Sequence, residues 1–122
     1  MDVALLRADD FPLEKIVDFL SQHPPTLGDM FQAVCWLYKI KPDEISTSQL
    51  ARDVFAYVAT NWTMKQTDRV GAWTGMSSYQ VFCAVKRIKF RLEQDELLRD
   101  DLDLLGVRLA EKALEKRTRG HD

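Results

Sequence analysis

The sequence predicts an all-α fold, a compact bundle of about six helices that contains a helix-turn-helix. Three observations lead there. Apolar residues return every three or four positions over most of the 122 residues, the period of a helix buried along one stripe. Prolines and short hydroxyl or carboxylate residues stand where such segments begin or end, as at Pro24-Pro25, Thr26, Ser77 and Asp95. No run alternates apolar and polar residues as a half-buried strand does.

The elements follow in order. Asp10 and Pro12 open a first helix with Leu13, Ile16, Val17 and Leu20 on one stripe, and Pro24-Pro25 closes it. Thr26 and Asp29 have the spacing of a reciprocal cap for a second helix, whose apolar positions are Leu27, Met30, Phe31, Val34 and Leu37. Residues 41–45, with Pro42 near the start, read as one short helical turn. A third helix starts after Ser46-Thr47-Ser48. Leu50, Val54, Tyr57 and Asn61 share one face, and Phe55, Val58 and Trp62 extend it so far round that the helix belongs at the centre.

Thr63 with Gln66, and Ser77 with Gln80, repeat the capping spacing, so a short helix and a longer one follow with Gly75 in the turn between them. In the longer helix Val81, Ala84, Val85, Ile88 and Leu92 face inward. Tyr79, Cys83, Lys86 and Phe90 face outward, flanked by Arg87. Asp95 caps a last helix with a seam of Leu98, Leu102, Leu105 and Leu109. Gly106 weakens that helix by about 1 kcal/mol relative to Ala, and the charged stretch after Ala110 is expected to fray. The domain reading is a helical extension over 1–25, the helix-turn-helix domain over 26–110, and a charged tail over 111–122.

Hydrophobic residues make up 46% and charged ones 30%, the mix of an ordinary folded domain, and the length supports a core without disulfides or metal. The apolar runs are too short to span a membrane, and the acidic start MDVALLRADD is unlike a secretory signal, so a cytoplasmic location is expected. Cys35 and Cys83 then read as reduced thiols. His23 and His121 have no cysteine or carboxylate at ligand spacing, and no nucleophile–base arrangement is evident, so neither a metal, a cofactor nor an enzyme activity is expected. Trp36, Trp62 and Trp73 sit at apolar helical positions and read as core.

The net charge of -2 argues against a nucleic-acid partner, but its distribution argues for one. Residues 50–92 carry seven basic and two acidic side chains, whereas residues 93–105 carry one basic and six acidic. Positive charge is gathered on the helix-turn-helix stretch, where phosphates would be met. Double-stranded DNA is therefore the expected partner, with the longer helix in the major groove. Ser77, Ser78, Tyr79 and Gln80 open that helix, where side chains reach base edges, and Gln80 can pair bidentately with adenine. The plainer reading makes Ser77 and Gln80 a cap and Tyr79 merely exposed. Lys86 and Arg87 suit phosphate or guanine, while Lys89 and Arg91 read equally well as a solvated face. Lys65 and Arg69 are placed on the shorter helix, which crosses the backbone, and Thr63 at its start offers N–H groups to a phosphate.

The phrases LYKIKPDEI, LARDVFAYVA and AVKRIKFRLEQDELLRDDLDLL, in this order around the helix-turn-helix, resemble the C-terminal DNA-binding domain of the bacterial replication initiator DnaA. The resemblance runs from about Leu27 to Leu105. It implies an all-helical domain with its recognition helix in the major groove, acting in replication or transcription control. The family's Asp-His-(Thr/Ser)-Thr run is replaced by Ser77, Ser78, Tyr79 and Gln80. Ala51 stands where the family has an arginine entering the minor groove, with Arg52 beside it as a substitute that must reach about 100° around the helix. No phosphate-binding Gly-x-x-x-x-Gly-Lys-(Ser/Thr) loop accompanies these phrases, so a stand-alone domain without the ATPase is expected. A second reading is a protein-interaction module that keeps this fold without the DNA, docking a partner or a second copy through residues 1–25 or the leucine seam of the last helix. A third is an inhibitor occupying the initiator's partners or boxes.

Overall fold

Among residues 13–119, which the computed structural model of the chain describes (side chains as far as Glu115), α-helices carry the fold and no strand occurs. They are α1 (Leu13–Gln22), α2 (Leu27–Tyr38), α3 (Gln49–Tyr57), α4 (Thr67–Thr74), α5 (Ser78–Leu92) and α6 (Glu96–Arg119). A 3-10 turn at Pro42–Thr47 precedes α3, and a wider π turn at Val58–Trp62 continues it. The expected opening at Asp10 and Pro12 lies outside the described residues.

Several starts follow directly from local chemistry. The Thr26 hydroxyl accepts the Asp29 N–H at 3.0 Å and the Asp29 carboxylate accepts the Thr26 N–H at 3.4 Å, the reciprocal cap of α2. The 3-10 turn begins with Pro42, and Glu44 Oε1 accepts the Lys41 N–H at 2.9 Å. Ser48 caps α3 by accepting the Ala51 N–H at 3.3 Å.

Helix α3 and its π turn form the central rod. Ala51, Val54, Phe55, Ala56, Val58, Ala59 and Trp62 are all buried, against α2, α4 and α5 around them. The widening past Tyr57 coincides with two threonines. Thr60 and Thr63 hydroxyls donate at 2.8 Å to the carbonyls of Ala56 and Ala59, competing with backbone N–H groups for the same acceptors.

Thr63 therefore does not start α4. It is 9% exposed, ends the π turn, and its hydroxyl also lies 3.7 Å from Met30 Sδ. Met64 takes a left-handed φ of 57° and the Lys65 N–H reaches back to the Ala59 carbonyl at 2.9 Å, closing the rod. Helix α4 begins at Thr67 behind Gln66, which makes no side-chain cap. The expected Thr63–Gln66 box is overturned because Thr63 is still inside the preceding turn.

Gly75 ends α4 with a φ of 74°, and Gly71 lets the turn fold tightly: a β-carbon there would land on the Met76 carbonyl oxygen. Ser77 then caps α5 as expected. Its hydroxyl accepts the Gln80 N–H at 3.2 Å and Gln80 Oε1 accepts its N–H at 2.8 Å. Val81, Ala84, Val85 and Ile88 are buried beneath α5, with Leu92 half-buried at its end.

Helix α6 starts with Asp95, whose Oδ1 accepts the Leu98 N–H at 3.1 Å. Leu98, Leu102, Leu105 and Leu109 are buried as expected. Gly106 has a compensating use, since α1 crosses close to it: a β-carbon would come within 3.1 Å of Ile16 Cγ2 and 3.2 Å of Leu13 Cδ1. The helix does not fray after Ala110. It runs on to Arg119, with Leu114 packed against the core. Of the tryptophans read as core only Trp62 is buried. Trp36 is half-exposed beneath the Arg108 guanidinium, and Trp73 is half-exposed against the Phe31 ring. Cys35 (buried) and Cys83 (half-buried) are unpaired thiols, and burial pushes the Cys35 thiol up. No helix among the described residues is long and apolar enough to cross a membrane.

Candidate nucleic-acid interface

The outward face of α5 is open to solvent from end to end. Ser78, Tyr79 and Gln80 in its first turn are exposed, and so are Lys86, Lys89 and Phe90 further along. Capping sets how the first turn is presented. Gln80 Oε1 accepts the Ser77 N–H, which fixes the side chain and leaves its amide N–H groups and one oxygen lone pair for a ligand. The bidentate adenine contact expected of Gln80 would use the second lone pair of Oε1 together with the amide N–H, so it is compatible with the cap.

Lys86 does not stand alone. Its ammonium lies 4.6 Å from the centroid of the Phe82 ring, one helical turn back, which steadies the charge while leaving it exposed. Tyr79, Phe82 and Phe90 are 74%, 51% and 65% exposed, so an aromatic row runs down the same face as the cations. Phe82 was readable on the helical wheel, three residues from Tyr79 and four from Lys86.

Arg87 is anchored from below. Its Nε and Nη2 each donate to the Asp53 carboxylate at 2.9 Å, a bidentate pair in which the Arg87 side chain is 43% exposed and that of Asp53 is 6% exposed. The Asp53 hydrogen bond pushes the Arg87 guanidinium further above its already high value. Asp53 was the residue that pattern reading missed. Its signal was an acid at the heart of a helix apolar on most sides, a position that demands a cationic partner.

The remaining candidates divide. Arg52, half-buried at the start of α3, shares a cleft of ≈ 310 Å³ with Tyr79, Gln80, Cys83 and Arg87. Its Nη1 reaches the Ser46 carbonyl at 3.5 Å, and its buried Nε has no acceptor. Arg69 is exposed on α4, whereas Lys65 is half-buried in the link before α4 rather than on it. Thr63, buried in the π turn, offers no helix N-terminus to a phosphate. Lys65, Arg69 and Lys86 do not line the cleft. Arg91 is tied to Asp95 at 2.9 Å.

The first half of α6 presents the opposite chemistry. Its seam leucines are committed to the core, so the expected docking seam is not available; Leu97 and Leu104 are the exposed ones, beside the exposed acids Glu96 and Asp100. Tyr38 donates to Asp101 Oδ2 at 3.1 Å, and burial together with that carboxylate pushes the phenol well up. The chain matches no protein-family model, no curated protein and no solved structure.

Proposed function

We propose that the chain binds double-stranded DNA, with α4 and α5 acting as a helix-turn-helix and α5 lying in the major groove. The observation that carries this reading is the clear outward face of α5, which bears Ser78, Tyr79, Gln80 and Lys86 with no acidic side chain among them. At 15 residues the helix is about 22 Å long, enough to follow a groove. Arg69 on α4 and Lys89 on α5 are exposed and suited to flanking phosphates. A role in replication or transcription control, and kinship with the DnaA C-terminal domain, belong to the same proposal.

The test is retention of duplex in a mobility shift as salt is raised. Affinity should fall steeply with salt, because each neutralised phosphate releases counterions. Replacing Arg69 and Lys86 together by Ala should weaken all sequences alike and reduce the salt slope by about 2. Gln80→Ala should instead relax preference at one base pair. Absence of any duplex retention at low salt ends this reading.

The aromatic row favours a second reading, a protein-interaction module that presents α5 to a partner. Exposed Tyr and Phe are common anchors of protein interfaces. Selection from a random duplex pool separates the two: a sharp enriched motif supports DNA, and no enrichment supports the protein partner.

A further inference from the structure

We propose that the cleft between the start of α3 and the near edge of α5 is a binding site for a phosphate-class oxyanion, gripped by the guanidiniums of Arg52 and Arg87. The cleft holds ≈ 310 Å³, at the small end of ligand sites. Its polar lining is mainly donor. Arg87 has its Nε and Nη2 on Asp53, which leaves Nη1 for a ligand and fixes the plane of the group. The Asp53 carboxylate does not line the cleft, so it steadies the arginine without presenting an acid to the ligand. Gln80, its oxygen accepting the Ser77 N–H, and Tyr79 also line the cleft and carry N–H and O–H donors.

Arg52 gives the second observation. Its Nε is buried without an acceptor and its Nη1 has only a 3.5 Å reach to Ser46. A buried donor left in this state is unfavourable, and an oxygen-rich anion meets the need when the side chain turns toward it. A carboxylate presents its two oxygens in one plane, which suits a single guanidinium fork best. A tetrahedral phosphate has oxygens for donors arriving from α3 and α5 at once, which is why the class is phosphate. The site does not rest on the duplex reading, because its phosphate can come from a DNA backbone or from a small molecule.

Cys83 lines the same cleft and supplies the readout, with buried Cys35 as an internal control. The rate of Cys83 alkylation in the full chain is measured at constant ionic strength in chloride, with inorganic pyrophosphate or with a short duplex added. Several-fold slowing by either supports the site. Arg52→Gln should abolish the slowing without lowering the thermal melt, and Arg52→Lys, which keeps the charge without the fork, should retain part of it. Protection by duplex alone assigns the phosphate to a DNA backbone. Protection by pyrophosphate alone assigns it to a small molecule and counts against the duplex reading, not against the site. An unchanged Cys83 rate with both additives, or equal protection in Arg52→Gln, overturns the proposal.

Discussion

Residues 63–66 and 77–80 spell the same short phrase, a hydroxyl residue followed three positions later by glutamine, yet they do opposite things. Ser77 is exposed, extended (φ −73°, ψ 165°) and starts α5 through two reciprocal hydrogen bonds. Thr63 is buried, sits at φ −125° and ψ 6°, and gives its hydroxyl back to the turn it ends. What differs is the chain just before. Gly75 has already stopped α4 when Ser77 arrives, whereas nothing interrupts the rod ahead of Thr63, and its left-handed stop comes one residue later at Met64. A capping phrase starts a helix only where the previous helix has been stopped. The consequence for the site is direct: α5 keeps the register that sequence periodicity gives it, and α4 loses Thr63 and Lys65.

The largest effect should come from crowding the turn that follows the stop. In Gly71→Ala the new β-carbon meets the Met76 carbonyl oxygen, backbone that cannot turn aside as a side chain can. The loss should be about 3 kcal/mol in a denaturant titration, the upper end for overpacking. Gly75→Ala, with open space around it but a left-handed φ, should lose only about 1 kcal/mol. Equal costs at the two glycines would mean that conformation, and not crowding, holds the turn.

A smaller pair of substitutions tests the comparison itself. Ser77→Ala removes a working cap and should cost about 1 kcal/mol. Thr63→Val keeps the shape of a buried side chain and removes a hydroxyl that caps nothing, so it should be close to neutral. A loss in Thr63→Val as large as that in Ser77→Ala would restore Thr63 as a helix start.

Most of the fold was legible because its helices have one apolar stripe each and their starts carry local chemistry. The stripe of α5 and the leucine seam of α6 need nothing beyond a period of 3.6. What was not legible depends on contacts distant in sequence. Asp53 and Arg87 are 34 positions apart, and no local pattern couples them. Trp36 and Trp73 read as core because helical spacing shows a preferred face but not how far a neighbour covers it; Arg108 and Phe31 do the covering. The cleft is of the same kind, since Arg52 reaches Arg87 only through the packing of α3 on α5.

The start of α6, at Asp95, sharpens the rule, because no glycine stops α5 before it. The stop is supplied from the next helix instead: Arg99 Nε donates to the Leu92 carbonyl at 2.8 Å and its Nη2 to that of Glu93 at 3.3 Å. With the chain halted, Asp95 behaves like Ser77. The Leu98 N–H and then the Arg91 guanidinium favour its charged form and hold its carboxyl below the usual range. A carboxylate with a depressed folded pKa stabilises the fold above its unfolded value, about 4, and the contribution is lost as pH falls through the folded value. Asp95→Asn keeps an oxygen for the Leu98 N–H and removes the charge. Thermal melts should therefore show a modest deficit for Asp95→Asn at neutral pH that shrinks as the solution is taken below about pH 4. A deficit unchanged by acid would assign the start of α6 to geometry alone, with Arg91 as a bystander.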